Sequence, residues 1–181
     1  MNQTVCHYGS YATSNGKIPV PEQLKDKDKR ADTAARVAVL AAVQTLEFVN
    51  NIDLTALNIV VVNREGCTAH IRKVSNGIAN HQPAQGYFVR SGPQTLATYT
   101  ALALGAHGAA FTFVGDNCVL SEATSTALYL TQLIPGSATL LIVVAKKGEA
   151  DYQADSVLIR QIENSNKLEQ EINNHLSRVF T

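Results

Sequence analysis

The sequence predicts an α/β protein: a mostly parallel five-stranded sheet in the order βαβαβαββ, flanked by helices and followed by a C-terminal helix. Three observations carry this. Short apolar runs rich in β-branched residues alternate with segments of helical periodicity. The stretch from Ser91 to Ala145 has Asp116 and Glu122 as its only formal charges, so its elements are buried on more than one side. Residues 160–173, "RQIENSNKLEQEIN", are by contrast heavily polar and belong to a surface.

Residues 4–12, "TVCHYGSYA", read as the first strand, ending in small residues. After a loop, Asp32 and Thr33 can cap a helix whose Ala35, Val39, Ala42, Val43, Leu46 and Val49 recur at helical spacing. "LNIVVVN", 57–63, is a continuous apolar run suited to a strand covered on both faces. Residues 64–90 are irregular, with a short helix around His70 to Ile78. "SGPQTLATYTALALG" places Pro93 in the first turn of the next helix, where a missing N–H costs nothing. "AAFTFV", 109–114, is the third strand, and a weakly polar helix over 119–134 ends at the Pro135-Gly136 stop. "SATLLIVVA", 137–145, is the fourth strand. "DSVLIRQI", 155–162, alternates as a fifth with one wet face, its short connection favouring antiparallel pairing. In 165–180, Leu168, Ile172, Leu176 and Val179 share one side of an amphipathic helix.

With 181 residues the chain has room for one ordinary domain, read as 1–181 with 163–181 a helical extension. Fifteen basic and fifteen acidic side chains cancel, which gives no field for nucleic acid or an anionic membrane. The three cysteines, Cys6, Cys67 and Cys118, form no C-x-x-C pair, and no signal peptide is recognised, so the expected setting is the reducing cytoplasm. The longest apolar runs fall far short of a membrane span.

Cys118 is the candidate catalytic residue. It follows an apolar strand and a Gly-Asp-Asn link, where the first turn of a helix offers unpaired N–H groups and positive potential. A thioester-forming nucleophile there needs a base and an oxyanion hole. Free cysteine is also a common small buried residue, and no base can be named, so packing is the reading preferred. The five histidines, His7, His70, His81, His107 and His175, have no ligand or dyad spacing; His107, between Gly105 and Gly108, could approach the elbow, but a loop histidine with ordinary hydrogen bonds is the reading preferred. No metal site or cofactor is proposed. "GDN", 115–117, reads as a capped turn rather than an anion site, because Asp116 opposes an anion. The run "KDKDKR", 25–30, reads as a solvated loop, the alternative being a dock for an acidic acyl carrier protein.

Several stretches resemble, in order, the N-terminal half of a β-ketoacyl synthase of the thiolase-like superfamily. They are "VCHYGSYAT", "RADTAARVAVLAAVQTL", "NIVVVN", "NHQPAQGYFVRSGP" and "FTFVGDNCVLSEATSTALYLTQLIPGSATLLIVVA", covering about residues 3–145. The resemblance implies one thiolase-like half. It also implies that a second half would supply the two histidines of a ketosynthase site, and this chain shows no such half. Where the family has small residues after its nucleophile, Cys118 is followed by Val119 and Leu120, and counting back from Gly136 allows Val119 to hold the nucleophile position instead. Past the fourth strand the family's Gly-Gly is replaced by Ala145-Lys146.

The implied function is a truncated, catalytically incomplete ketosynthase-like subunit of the chain-length-factor type. It would pair with an active β-ketoacyl synthase in polyketide or fatty-acid-like assembly, aryl-polyene pathways being one setting, and shape the acyl tunnel. The partner contact falls on strand 109–114, which resembles the family's dimer-interface strand, and on helix 119–134. Phe111, Phe113, Val119, Leu120, Leu128 and Tyr129 are the tunnel or interface candidates. Two alternatives stay open: an acyltransferase or condensing half-enzyme that uses Cys118 with residues lent by a partner, and a structural homodimer.

Overall fold

The computed structural model describes residues 6–13, 18–25, 31–82, 85–88, 90–148, 151–160 and 165–181. Five strands, β1 (Cys6–Ala12), β2 (Leu57–Asn63), β3 (Ala110–Val114), β4 (Ala138–Lys146) and β5 (Tyr152–Ile159), form one sheet in the order β1-β5-β4-β2-β3. β2 pairs parallel with β3 and β4, while β5 pairs antiparallel with β4 and β1. Four strands therefore share a direction and β5 alone is reversed. The helices are α1 (Thr33–Glu47), α2 (Thr68–Ala79), α3 (Gln85–Phe88), α4 (Thr95–Leu104), α5 (Asn117–Leu133) and α6 (Ser165–Leu176), the last followed by a 3-10 turn (Ser177–Phe180). Among the described residues no helix is long and apolar enough to cross a membrane.

Alternation along the strands divides the core between two faces. Ile59, Val61, Leu140, Ile142 and Leu158 pack with α1 and α4. Val60, Val62, Leu141, Val143, Val157 and Ile159 pack with α5, α6 and the C-terminal turn. Asp32 caps α1, its Oδ1 accepting the Ala34 N–H at 3.0 Å. The helix buries more than the expected stripe. Val37, Ala38 and Ala41 face the sheet, while Ala35 and Val39 meet Tyr99 and Ala103 of α4. Small side chains let α1 come close to β1: a Cβ on Gly9 would lie 2.4 Å from Thr45 Oγ1 and 2.8 Å from the Thr45 nitrogen.

One expectation is corrected. β5 begins at Tyr152 and has no wet face; Ala154 to Ile159 are all buried. β1 closes its outer side, so β5 is an inner strand, and the Ser156 hydroxyl reaches Thr45 and the Ala41 carbonyl instead of water. Helix α5 is covered by the chain on one flank and leaves Cys118, Ser121, Glu122, Ser125, Tyr129, Gln132 and Leu133 exposed, the side for which the sequence expects a partner. Its want of charge reflects hydroxyls with local partners. Ser121 and Ser125 donate to Glu169 of α6 at 3.2 and 2.9 Å, Thr124 to Asn173 at 2.6 Å, and Thr131 to the Ala127 carbonyl at 2.9 Å. The chain thus covers one flank of α5 itself. Leu168, Ile172, Leu176 and Val179, the expected apolar side of the last helix, are buried against the sheet, with Phe180 beside them.

Candidate functional site: the strand-to-helix elbow

The elbow lies at the carboxyl end of β3, where parallel strands of an α/β sheet present their loops. Gly115 donates to the Asn63 carbonyl at 3.1 Å, which ties the turn to the end of β2. Asp116 then caps α5: its Oδ1 accepts the Cys118 N–H at 3.2 Å, and its carbonyl accepts the Val119 N–H at 3.1 Å. Hydrogen bonds from Cys118 hold the Asp116 carboxyl below the usual carboxylate range, with Arg64 a lesser contributor. Arg64 lies 3.6 Å from the Asp116 carboxylate and over the Phe180 ring, 5.7 Å from its centroid. A carboxylate therefore occupies the turn, as the capped-turn reading of "GDN" requires.

Helical geometry turns residues 118 and 119 in different directions. Cys118 is exposed on the outer side of α5, so it is not the small buried residue preferred from sequence. Val119 folds back over the turn: a Cβ on Gly115 would stand 2.9 Å from both of its methyl groups. Glycine at 115 is what makes room for it. The valine, half-buried against the core below α5, fills the space directly over the strand end.

None of the histidines is at the elbow. His107 lies at the opposite end of β3, its N–H on the Leu54 carbonyl at 3.3 Å, and five strand residues (roughly 16 Å) intervene. His107 thus sits in a loop with a backbone hydrogen bond, as the preferred sequence reading has it, and the alternative approach to the elbow does not occur. His70 is buried by α1 and α3, its N–H donating to Asp32 Oδ2 at 3.3 Å and its Nδ1 3.1 Å from the Arg90 carbonyl. His175 stacks on Tyr8 at 4.4 Å between ring centroids. His7 lies half-buried on β1, and His81 is exposed beyond α2.

Burial pushes the Cys67 thiol up to about 11, and burial with the Glu171 carboxylate does the same for Cys6. Among the described residues no group of three His, Cys, Asp or Glu side chains is placed to hold a metal.

The apolar candidates divide into two sets. Phe113, Val119, Leu120 and Leu128 come together under α5, whereas Phe111 and Tyr129 are 45% and 60% exposed. Phe111 belongs to a sheet edge: among the described residues β3 pairs on one side alone, with β2, and it carries no charged residue. Sequence reasoning missed Arg64 and Phe180, which flank the elbow from β2 and the C-terminal turn. Nothing in their local patterns links them across the chain. The charged run assigned to a loop falls largely on residues 26–30, outside the described residues.

No family model matches the chain, and no curated protein sequence matches it. Solved structures do. A ketosynthase in complex with its chain length factor, from Xenorhabdus doucetiae, matches with a TM-score of 0.61 at 15% identity. The match covers 82% of this chain and 71% of the matched one, which is therefore not much longer. The chain therefore shares the fold of this ketosynthase structure. The ishigamide ketosynthase/chain length factor matches with a TM-score of 0.64 at 15% identity, over 82% of this chain and 49% of that one. A β-ketoacyl synthase from Burkholderia phymatum gives 0.56 at 13% identity, over 80% and 46%. Against these two, the chain spans about half the length.

Proposed function

We propose that this protein is a non-catalytic ketosynthase-like subunit of the chain-length-factor type. It pairs with an active β-ketoacyl synthase in polyketide or fatty-acid-like assembly, aryl-polyene pathways included, and supports its partner while shaping the acyl tunnel. The whole chain acts as one ketosynthase-like domain, with 163–181 as its own extension. The observation that carries this reading is the elbow. The position packed over the strand end holds Val119, Cys118 is exposed, and the thiol's ionisable neighbour is the Asp116 carboxylate rather than an imidazole. Nucleophilic catalysis requires the reverse arrangement, a thiolate beside a base and aimed at an acyl carbonyl. The likeness to ketosynthase and chain-length-factor structures supports the choice of partner.

The partner contact runs along β3. An uncharged free edge with Phe111 and Val114 exposed pairs readily with another strand, and natural edges that avoid pairing usually carry charge. Phe111→Lys puts a charge there without touching the core. Co-expressed with a ketosynthase, the wild type should elute with it as a heterodimer, and Phe111→Lys should elute alone and folded. A Phe111→Lys variant that still co-elutes removes β3 from the contact. The same edge would accept a second copy of the chain, and a wild type that forms a homodimer and no mixed complex decides for that reading.

A further inference from the structure

Asp155 sits within the sheet as a carboxylate without a partner. It is 7% exposed, its Oδ1 meets no hydrogen-bond donor among the described residues, and none of the ion pairs between described residues includes it. A carboxylate taken out of water costs stability unless a donor or a cation meets it. Asp32, also buried, shows the contrast, since each of its oxygens accepts a backbone N–H.

Alternation along β5 sends Asp155 to the α6 side of the sheet, together with Val157 and Ile159. In its row, Val143 of β4 stands on one flank and Ser10 of β1 on the other. The β4 flank is apolar core. The β1 flank is open: His175 of α6 stacks on Tyr8, and further along the strand Ser10 and Ala12 are exposed. These small residues form a shelf with Asp155 behind it. Among the described residues β1 pairs on one side alone, with β5, and it contains no Asp, Glu, Lys or Arg. An edge without charge lacks the usual defence against strand addition.

We infer that an extended segment of a partner protein adds to the free side of β1 as a sixth strand and lays a Lys or Arg side chain over Ser10 against Asp155. Main-chain bonds along β1 hold the segment, and the buried carboxylate selects its basic residue. An added strand lies about 5 Å beyond β1 and so about 10 Å from β5, a gap that a long basic side chain crosses and a short one does not. A second copy of this chain, pairing through its own β1, brings no cation to the carboxylate. The inference stands apart from the ketosynthase contact proposed above, because β3 is at the opposite edge of the sheet.

The probes are two acetylated peptides of alternating threonine and valine, matched to the 7 residues of β1, with lysine or norleucine at the centre. Each is titrated into the isotope-labelled full chain and followed by NMR amide shifts. The lysine peptide should bind about tenfold more tightly than the norleucine peptide, with the shifts centred on β1. Asp155→Asn should remove that preference and leave the circular dichroism spectrum unchanged. Added salt should weaken the lysine peptide alone. Ser10→Lys supplies the ammonium from the directly opposed position, so it should raise the thermal midpoint and abolish the preference for lysine. Equal binding of the two peptides, binding of neither, shifts confined to β3, or a preference for lysine that survives either substitution overturns the inference.

Discussion

Replacing Ile172 with alanine strips the side chain beyond Cβ from the seam between α6 and the sheet. Ile172 is fully buried and lies in the cluster with Val143, Val157, Leu176 and Val179. Removing a buried isoleucine loses its transfer free energy and leaves a cavity that the surrounding strands, fixed by ladder bonds on both sides, cannot close. The cost is therefore about 2–4 kcal/mol. For a chain of this size each kcal/mol moves the thermal midpoint by about 2–4 °C, so the midpoint should fall by about 5–15 °C. Urea unfolding followed by circular dichroism gives the same quantity, with the slope unchanged if both states keep their surface. Gln170→Ala, on the exposed side of α6, should stay within about 0.5 kcal/mol of wild type. An Ile172→Ala cost below about 1 kcal/mol would mean that α6 is not seated on the sheet, and that the chain does not cover this face by itself.

Asp32→Ala removes the α1 cap and leaves the buried His70 N–H unpaired, which should cost about 2–3 kcal/mol by the same assay, with Asp32→Asn milder. Gly9→Ala drives a methyl into the backbone of α1 at Thr45, and overpacking of this kind costs about 1–3 kcal/mol, read as a lowered urea midpoint. A disulfide reagent at pH 8 should modify Cys118 promptly in the native protein, and Cys6 and Cys67 only slowly, as mass spectrometry of the labelled peptides would show. The raised values of Cys6 and Cys67 also fix a pH dependence. Burial keeps both thiols neutral in the folded chain, so unfolding lets them ionise from about 9; their contribution is complete below pH 9 and is lost as pH climbs through about 11. Tyr152, pushed up to about 12 chiefly by burial, adds to the same decline at higher pH. A urea midpoint that rises over this range would contradict that burial.

Most of the architecture was legible because it follows local rules. The short β-branched run "LNIVVVN" suggested a strand covered on both faces, which it is, and Asp32, Gly105 and Gly136 stand where helix and loop chemistry puts them. The elbow was located from the strand, the Gly-Asp-Asn link and the helix that follows. Its orientation was not legible. Whether residue 118 or 119 faces the strand depends on where the first helical turn starts, and one residue changes the direction by about 100°. Alternation also misled at β5. Ser156 is polar yet fully buried, because Thr45 arrives from a distant helix. Long-range partners of this kind, like Phe180 beside Arg64, leave no trace in a local window.

The measurement that bears most directly on the account is co-expression of the chain with a ketosynthase, with wild type and Cys118→Ala compared by size-exclusion chromatography with mass detection and by acyl condensation. The account predicts a one-to-one complex in both cases and condensation undiminished by the substitution. An intact complex that loses condensation with Cys118→Ala would make the exposed thiol a working nucleophile and contradict it.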